Sequence, residues 1–322
     1  MTYYRTGKTG MLIAAATAAA MCVLSFVFQP ERPLPAQTGL CLPSPGEWHL
    51  PVLWSWIINT SLLGLITIGA WLLNRTFNFI RSTEPVMPAL FLLLTSSNPW
   101  ITGELSSSLI ICSVNLIWIT ILFTAYDSKN ATQPLFAVAT FISIGSMFQY
   151  AFLPMGLAAL IGALIMKVLR FKELATFLLG LISPYWIALG FGWIKFSEFR
   201  LPEPLPLFSG SYDGTTLFLL MLSVGVAIFI GVMTGFAVGL RLYAGNSKVN
   251  AMNGVITWTG IISVICILID FNNIFAYLAT LYLAVAVQLA NLCALWQFRH
   301  EWLVTFLPGT VFVTFFILML LL

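Results

Sequence analysis

Eleven apolar runs with short polar connections make up most of this chain, and they leave it one kind of fold. They fall at about 11–28, 52–73, 86–96, 105–125, 134–148, 150–169, 174–194, 216–240, 253–269, 274–296 and 302–322, read from length and flanking charge. A bilayer core of about 30 Å takes roughly 20 apolar residues per helix, so most of these runs are long enough to cross it. A soluble fold has no means of hiding them: the chain is 60% hydrophobic and 8% charged, against roughly 25% charged for a soluble domain. The expected architecture is all-α, one integral membrane domain over residues 1–322 built as a polytopic helix bundle. The third and fifth runs are too short for a full crossing and predict broken or tilted helices buried inside the bundle, giving a range of nine to eleven spans. The first run follows Arg5 and Lys8 but is too long for a signal h-region and lacks a small-x-small cleavage site, so it reads as an uncleaved span.

Charge supplies the sidedness. With the N-terminus inside, Arg5, Lys8, Arg75, Arg81, Lys129, Lys167, Arg170, Lys172, Arg241, Lys248 and Arg299 fall on the cytoplasmic side and only Arg32, Lys195 and Arg200 outside, a split of 11 to 3 among the 14 basic residues. That follows the positive-inside rule and puts the C-terminus outside. The carboxylates lean the other way, with Glu31, Glu47, Glu104, Glu198, Glu203, Asp213 and Asp270 on the outer face. Two outer loops are long, Gln29–Leu50 and Lys195–Thr215, and neither is large enough to be a domain. Trp48, Trp54, Trp56, Trp100 and Trp193 at outer ends, and Trp296 and Trp302 at inner ends, read as interfacial anchors.

Inside the spans the polar residues are few. Asn59, Asn115, Gln288 and Asn291 read as helix-to-helix hydrogen-bonding groups, and Gln149 with Tyr150 as an outer interfacial turn. Gly231, Gly235 and Gly239 strip one face of the eighth run. A neighbouring helix of the same chain is the expected occupant of that face, and a membrane protein partner the alternative. Pro184, in mid-run, predicts a kink. Cys22, Cys112, Cys266 and Cys293 lie in apolar runs and only Cys41 in a loop, which gives no disulfide framework.

The same survey excludes several chemistries. No phosphate-binding glycine loop, zinc-ligand spacing or nucleophile elbow is present, and nothing basic and aromatic suggests nucleic acid. No Asp, Glu, Lys or Arg stands mid-span, which removes most support for an ion-coupled carrier. The outer carboxylates remain. An enzyme handling a lipid-phosphate donor wants a carboxylate base near the interface and a cation for the phosphate. Glu47 and Glu104 are the candidate bases, Arg32, Lys195 and Arg200 the candidate phosphate ligands, and His49 an auxiliary group. No cofactor is called for, with a divalent metal left open.

Leu62–Arg75, Met87-Pro88-Ala89-Leu90, the Asn98-Pro99 turn, Gly103-Glu104-Leu105, Leu116–Tyr126, the hairpin Phe141–Leu164 and Pro184 together resemble the layout of multi-spanning glycosyltransferases of the GT-C type. They also resemble an uncharacterised bacterial family of polytopic inner-membrane proteins distantly similar to that type. The similarity covers roughly residues 50–190 and consists of helix lengths and turns. It implies a bacterial inner-membrane enzyme that takes a sugar from a polyprenyl-phosphate donor at the outer face, with an acidic base in the first outer loop. Here that loop offers Glu31 and Glu47, is shorter than usual in the class, and lacks its paired acidic motif. Glu47 therefore ranks ahead of Glu104. The alternatives are a non-enzymatic subunit or assembly factor of a cell-envelope complex, and an uncoupled transporter of a lipid or small solute.

Overall fold

The computed structural model describes residues 6–29, 39–80, 85–200, 202, 204–207, 214–242, 246–296 and 301–321. These form twelve helices and no strand. They are α1 (Thr6–Phe28), α2 (Val52–Phe77), α3 (Val86–Ser96), α4 (Pro99–Thr102), α5 (Ser107–Thr124) and α6 (Thr132–Phe148), then α7 (Leu153–Ile165), α8 (Phe171–Gly190), α9 (Thr215–Leu242), α10 (Ser247–Ile269), α11 (Ile274–Trp296) and α12 (Glu301–Leu321). Each of the eleven apolar runs becomes a helix, because a segment without water must satisfy its backbone groups within itself. Seven helices are long and apolar enough to cross a membrane, and four shorter apolar helices accompany them. The protein is an all-helical, apolar bundle of multi-pass membrane type.

α11 is the hub: 83% of its apolar window lies inside the bundle, against 28% for α1 and 22% for α8 at the periphery. It packs against α3, α5, α9 and α10. The broken helix that the short third run predicts is present and buried. α3 stops at Ser96, the Asn98 side chain accepts from the Trp100 amide at 3.1 Å, and Pro99 restarts the chain as α4. Thr95, Ser96, Ser97, Asn98 and Thr102 are all buried there. Among the described residues Thr95 Oγ1 has no hydrogen-bond partner, while the Asn98 side chain bears on the Tyr282 hydroxyl.

The polar residues inside spans tie helices together as expected. Asn115 donates to Thr280 Oγ1 at 2.9 Å, Gln288 to Thr257 Oγ1 at 2.6 Å, Asn291 to Asn253 Oδ1 at 2.6 Å, and Asn59 to the Ile101 carbonyl at 2.6 Å. α6 and α8 form the most extensive pair. Gly180 lets α8 approach until a β-carbon there would stand 2.7 Å from the Phe136 carbonyl oxygen. Pro184 lies within α8 and removes the amide that would bond the Gly180 carbonyl, and the Ser183 hydroxyl donates to that carbonyl at 3.4 Å in its place.

Two sequence expectations are corrected. Trp100 is not an interfacial anchor: it is 3% exposed, with its ring 5.9 Å from Phe275, because the α3–α4 break carries it into the core. Of the glycine face on α9, only Gly231 packs closely, 2.9 Å from Val285 of α11, whereas Gly235 and Gly239 have nothing within 4 Å. Thr234 and Val238 stay buried beside them, so it is the Gly235–Gly239 line of α9 that meets no close neighbour among the described residues. Gly235→Leu is therefore expected to leave stability in detergent within about 0.5 kcal/mol of the parent, because a β-carbon there has nothing within 4 Å; a clear loss of stability would place a neighbour against this face.

Candidate functional site at one end of the bundle

Among the described residues, helix connections sort into two groups that do not mix. At one end, the amide of Asp127 donates to Met166, the Arg170 guanidinium to the Lys129 carbonyl, Tyr126 meets Ser247, and Asn253 donates to the Phe79 carbonyl. At the other end lie the exits of α1, α6, α8 and α10, and this is the end that charge assigns to the outer face. The alternation read from basic residues matches this sorting.

At that second end the two long loops meet. The amides of Cys41 and Leu42 donate to the Met147 carbonyl at 3.1 and 3.0 Å, and the Arg200 amide donates to the Leu40 carbonyl at 2.8 Å. Trp48 packs edge-on to Phe148, with ring centroids 6.1 Å apart. Under this contact Met147, Ala188 and Ile194 form a small buried cluster with Tyr185 and Phe199 against it. Further along, the Leu207 amide donates to the Leu268 carbonyl and the Phe271 amide to the Leu205 carbonyl. The second loop thus straps the first loop to the α10–α11 turn.

Glu47 and Arg200, named from separate loops, come together here. Arg200 Nη1 lies 3.7 Å from Glu47 Oε1, and Glu47 Oε2 accepts from the Ser44 amide at 2.8 Å. The Ser44–Glu47 turn is a capping box, which fixes the carboxylate as well as the turn. Glu47 is half-buried, while Arg200, Lys195 and His49 are exposed. Glu104 is exposed too, on a turn fixed by the Leu105 amide donating to Ser55 Oγ at 2.7 Å and by Thr102 Oγ1 donating to Ser25 Oγ at 3.0 Å. No contact joins Glu104 to Glu47 among the described residues. Arg32 lies outside the described residues.

The sequence reading missed the deeply buried carboxylate that the described residues of this end contain. Asp270, which closes α10, is 4% exposed. Its Oδ2 accepts from the Tyr150 hydroxyl at 2.7 Å and from Asn273 Nδ2 at 2.5 Å. Asn273 Nδ2 also contacts the Tyr150 hydroxyl, and Gln149 Nε2 donates to Asn273 Oδ1 at 3.2 Å. The Leu205 amide bears on the carboxylate as well, while Oδ1 has no partner that meets hydrogen-bond geometry. Burial pushes the Asp270 carboxyl above its usual range, and the donors Tyr150, Leu205 and Asn273 pull it partly back. Gln149 and Tyr150 are thus one half of a polar clasp between the α6–α7 and α10–α11 turns. The available signal was Asp270 and Asn273 in Asp-Phe-Asn-Asn between two apolar runs, opposite Gln149-Tyr150 between two others.

The result is a capped end: an outer layer with a tethered carboxylate and two exposed cations, and an inner layer knit by Asp270. Among the described residues no group of three or more His, Cys, Asp or Glu side chains is placed to hold a metal. No protein-family model matches the chain, and neither does any curated protein or solved structure.

Proposed function

We propose that this protein is a GT-C-like glycosyltransferase of the bacterial inner membrane, N-terminus inside, which moves a sugar from a polyprenyl-phosphate donor to an acceptor hydroxyl at the outer, capped end. The observation that carries the reading is the meeting of Glu47 with Arg200, the candidate base with the candidate phosphate ligand. A guanidinium binds a carboxylate or a phosphate with the same fork of donors. An arriving donor phosphate takes Arg200, with Lys195 beside it in the same loop, and releases Glu47 Oε1. Glu47 then takes the proton of the acceptor hydroxyl as its oxygen bonds to the anomeric carbon. The bond from that carbon to the phosphate oxygen breaks, and polyprenyl phosphate leaves on Arg200. His49, two residues from Glu47, is the auxiliary group, and Arg32 in the same loop is a further phosphate ligand.

Glu47→Gln is expected to lower transfer by about 10²–10⁴-fold, the usual worth of a positioned base, without loss of folded yield. Arg200→Ala is expected to weaken donor binding, whereas Glu104→Gln, on its separate exposed turn, is expected to be near parental. Transfer from a polyprenyl-phosphate sugar in vesicles reads all three, and full activity in both Glu47→Gln and Arg200→Ala would remove the enzymatic reading. A second reading, a non-enzymatic subunit of a cell-envelope complex, draws on the open face around Gly235 and Gly239. A protein that co-purifies with the parent and is lost from Gly235→Leu favours it.

A further inference from the structure

The exposed side of α8 is apolar over its last turns, with Leu179, Ile182, Trp186 and Ile187 turned outward. In a membrane bundle that side faces acyl chains. At Phe191 the helix ends in a paired closure, the Gly192 amide donating to the Leu189 carbonyl at 3.1 Å and the Trp193 amide to the Ala188 carbonyl at 2.9 Å. Gly192 sits at φ +71, the left-handed conformation this closure needs and that glycine adopts without strain. The chain therefore turns aside at the helix end.

The segment that follows stays apolar on its open side. Phe191, Trp193 and Phe196 are 73%, 71% and 81% exposed, as open as Trp186 in the stripe below them. Phe191 stacks on Trp193 at 5.4 Å and Phe196 on Phe199 at 6.3 Å. Ile194 points the other way, 2% exposed, into the cluster with Met147 and Ala188. Ile194 and the half-buried Phe199 pin the segment while the rings of Phe191, Trp193 and Phe196 face outward, in the same loop as Lys195 and Arg200. Rings of this kind in contact with water would be an aggregation-prone patch. Aromatic side chains at the end of a span, flanked by cations, instead match the headgroup layer, which solvates a ring and offers phosphate to a cation.

We propose that Phe191–Phe199 is an interfacial platform lying in the phospholipid headgroup layer at the capped end, with its rings at the glycerol level and Lys195 against lipid phosphate. Three features select lipid as the occupant. The apolar stripe of α8 runs continuously into the platform. The rings sit just past the end of a span, where acyl chains give way to headgroups. The neighbouring side chains Lys195 and Arg200 complement lipid phosphate, each basic group near an anionic surface contributing about 1 kcal/mol. The proposal stands on the membrane reading and is independent of the transferase reading. Its consequence is that the loop carrying Arg200 is held at the bilayer surface.

The test uses the full chain reconstituted in phosphatidylcholine–phosphatidylglycerol vesicles. Trp193 emission is isolated by subtracting the spectrum of Trp193→Phe, and Phe196→Trp supplies a second reporter in the same layer. Lipids brominated near the acyl carbonyl are expected to remove most of the signal of both reporters. Lipids brominated near the chain end are expected to remove little of it, and aqueous iodide less. Lys195→Glu is expected to abolish any excess of phosphatidylglycerol over phosphatidylcholine retained by the purified protein. Quenching by iodide but not by brominated lipid would put the platform in water, and quenching by neither would mean that a protein covers it. Either result, or unchanged phosphatidylglycerol retention in Lys195→Glu, overturns the proposal.

Discussion

Gly180→Leu is expected to remove most of the folded protein. A β-carbon at Gly180 would stand 2.7 Å from the Phe136 carbonyl oxygen and 2.8 Å from the Ala139 β-carbon, and both neighbours belong to the rigid body of α6 rather than to the tip of a flexible chain. The helices cannot simply part. Ser143 Oγ donates to the Leu181 carbonyl at 2.6 Å and the hydroxyls of Ser146 and Tyr185 lie 2.6 Å apart, so separation breaks both links. Overpacking of about 1–3 kcal/mol, with about 1 kcal/mol for each hydrogen bond, gives a loss of about 3–5 kcal/mol. Gly180→Ala should show the same sign with smaller size. Thermal unfolding in detergent decides it, with Gly235→Leu as the internal comparison. Equal melting of Gly180→Leu and the parent would mean that α6 and α8 do not pack as closely as this.

The second large effect is expected at Asp270. Asp270→Leu leaves the Tyr150 hydroxyl and the Asn273 amide group without their shared acceptor at the buried end. Asn273 Nδ2 still reaches the Tyr150 hydroxyl, so one buried donor is orphaned and the clasp should weaken by about 1–3 kcal/mol. Asp270→Asn keeps the shape and a carbonyl acceptor and should be much milder. Its use is in pH dependence. Because burial raises the Asp270 carboxyl in the folded state, the folded protein holds that proton more tightly than the unfolded chain. This contribution to stability is then fullest below the ordinary carboxyl value of about 3.9 and is lost as pH rises through the folded value. The parent should gain stability relative to Asp270→Asn on acidification through that window. A difference that is flat with pH, or of the opposite sign, would show that Asp270 keeps its charge at no expense.

Neither effect could have been placed from the chain alone, although much of their setting could. Eleven apolar runs gave eleven helices with small boundary shifts, and the short third run did mark a broken, buried helix. Connections to which charge gives the same side also touch one another among the described residues. Asn59, Asn115, Gln288 and Asn291 were legible as links between helices because an amide in an apolar span has few other ways to be satisfied. Trp100 was misread because the aromatic rule assumes that a helix runs on to the interface, and here the helix breaks before reaching it. Gly235 was misread because a glycine face tells which side a helix could offer, not whether a neighbour packs against it.

What the sequence by itself determined, then, is class and segmentation, and the reason is local. In an apolar solvent each segment must close its own backbone hydrogen bonds, and charge is free to sit only at the ends. What only the tertiary structure decided is which ends touch. Glu47 and Arg200 lie in loops separated by seven helices, and Asp270 meets Tyr150 across four. Such pairs depend on how helices of nearly uniform apolar surface choose neighbours. That choice is made by small steric features such as Gly180 and by a few buried amides and hydroxyls, and it turned one outer carboxylate among several into the buried centre of a clasp.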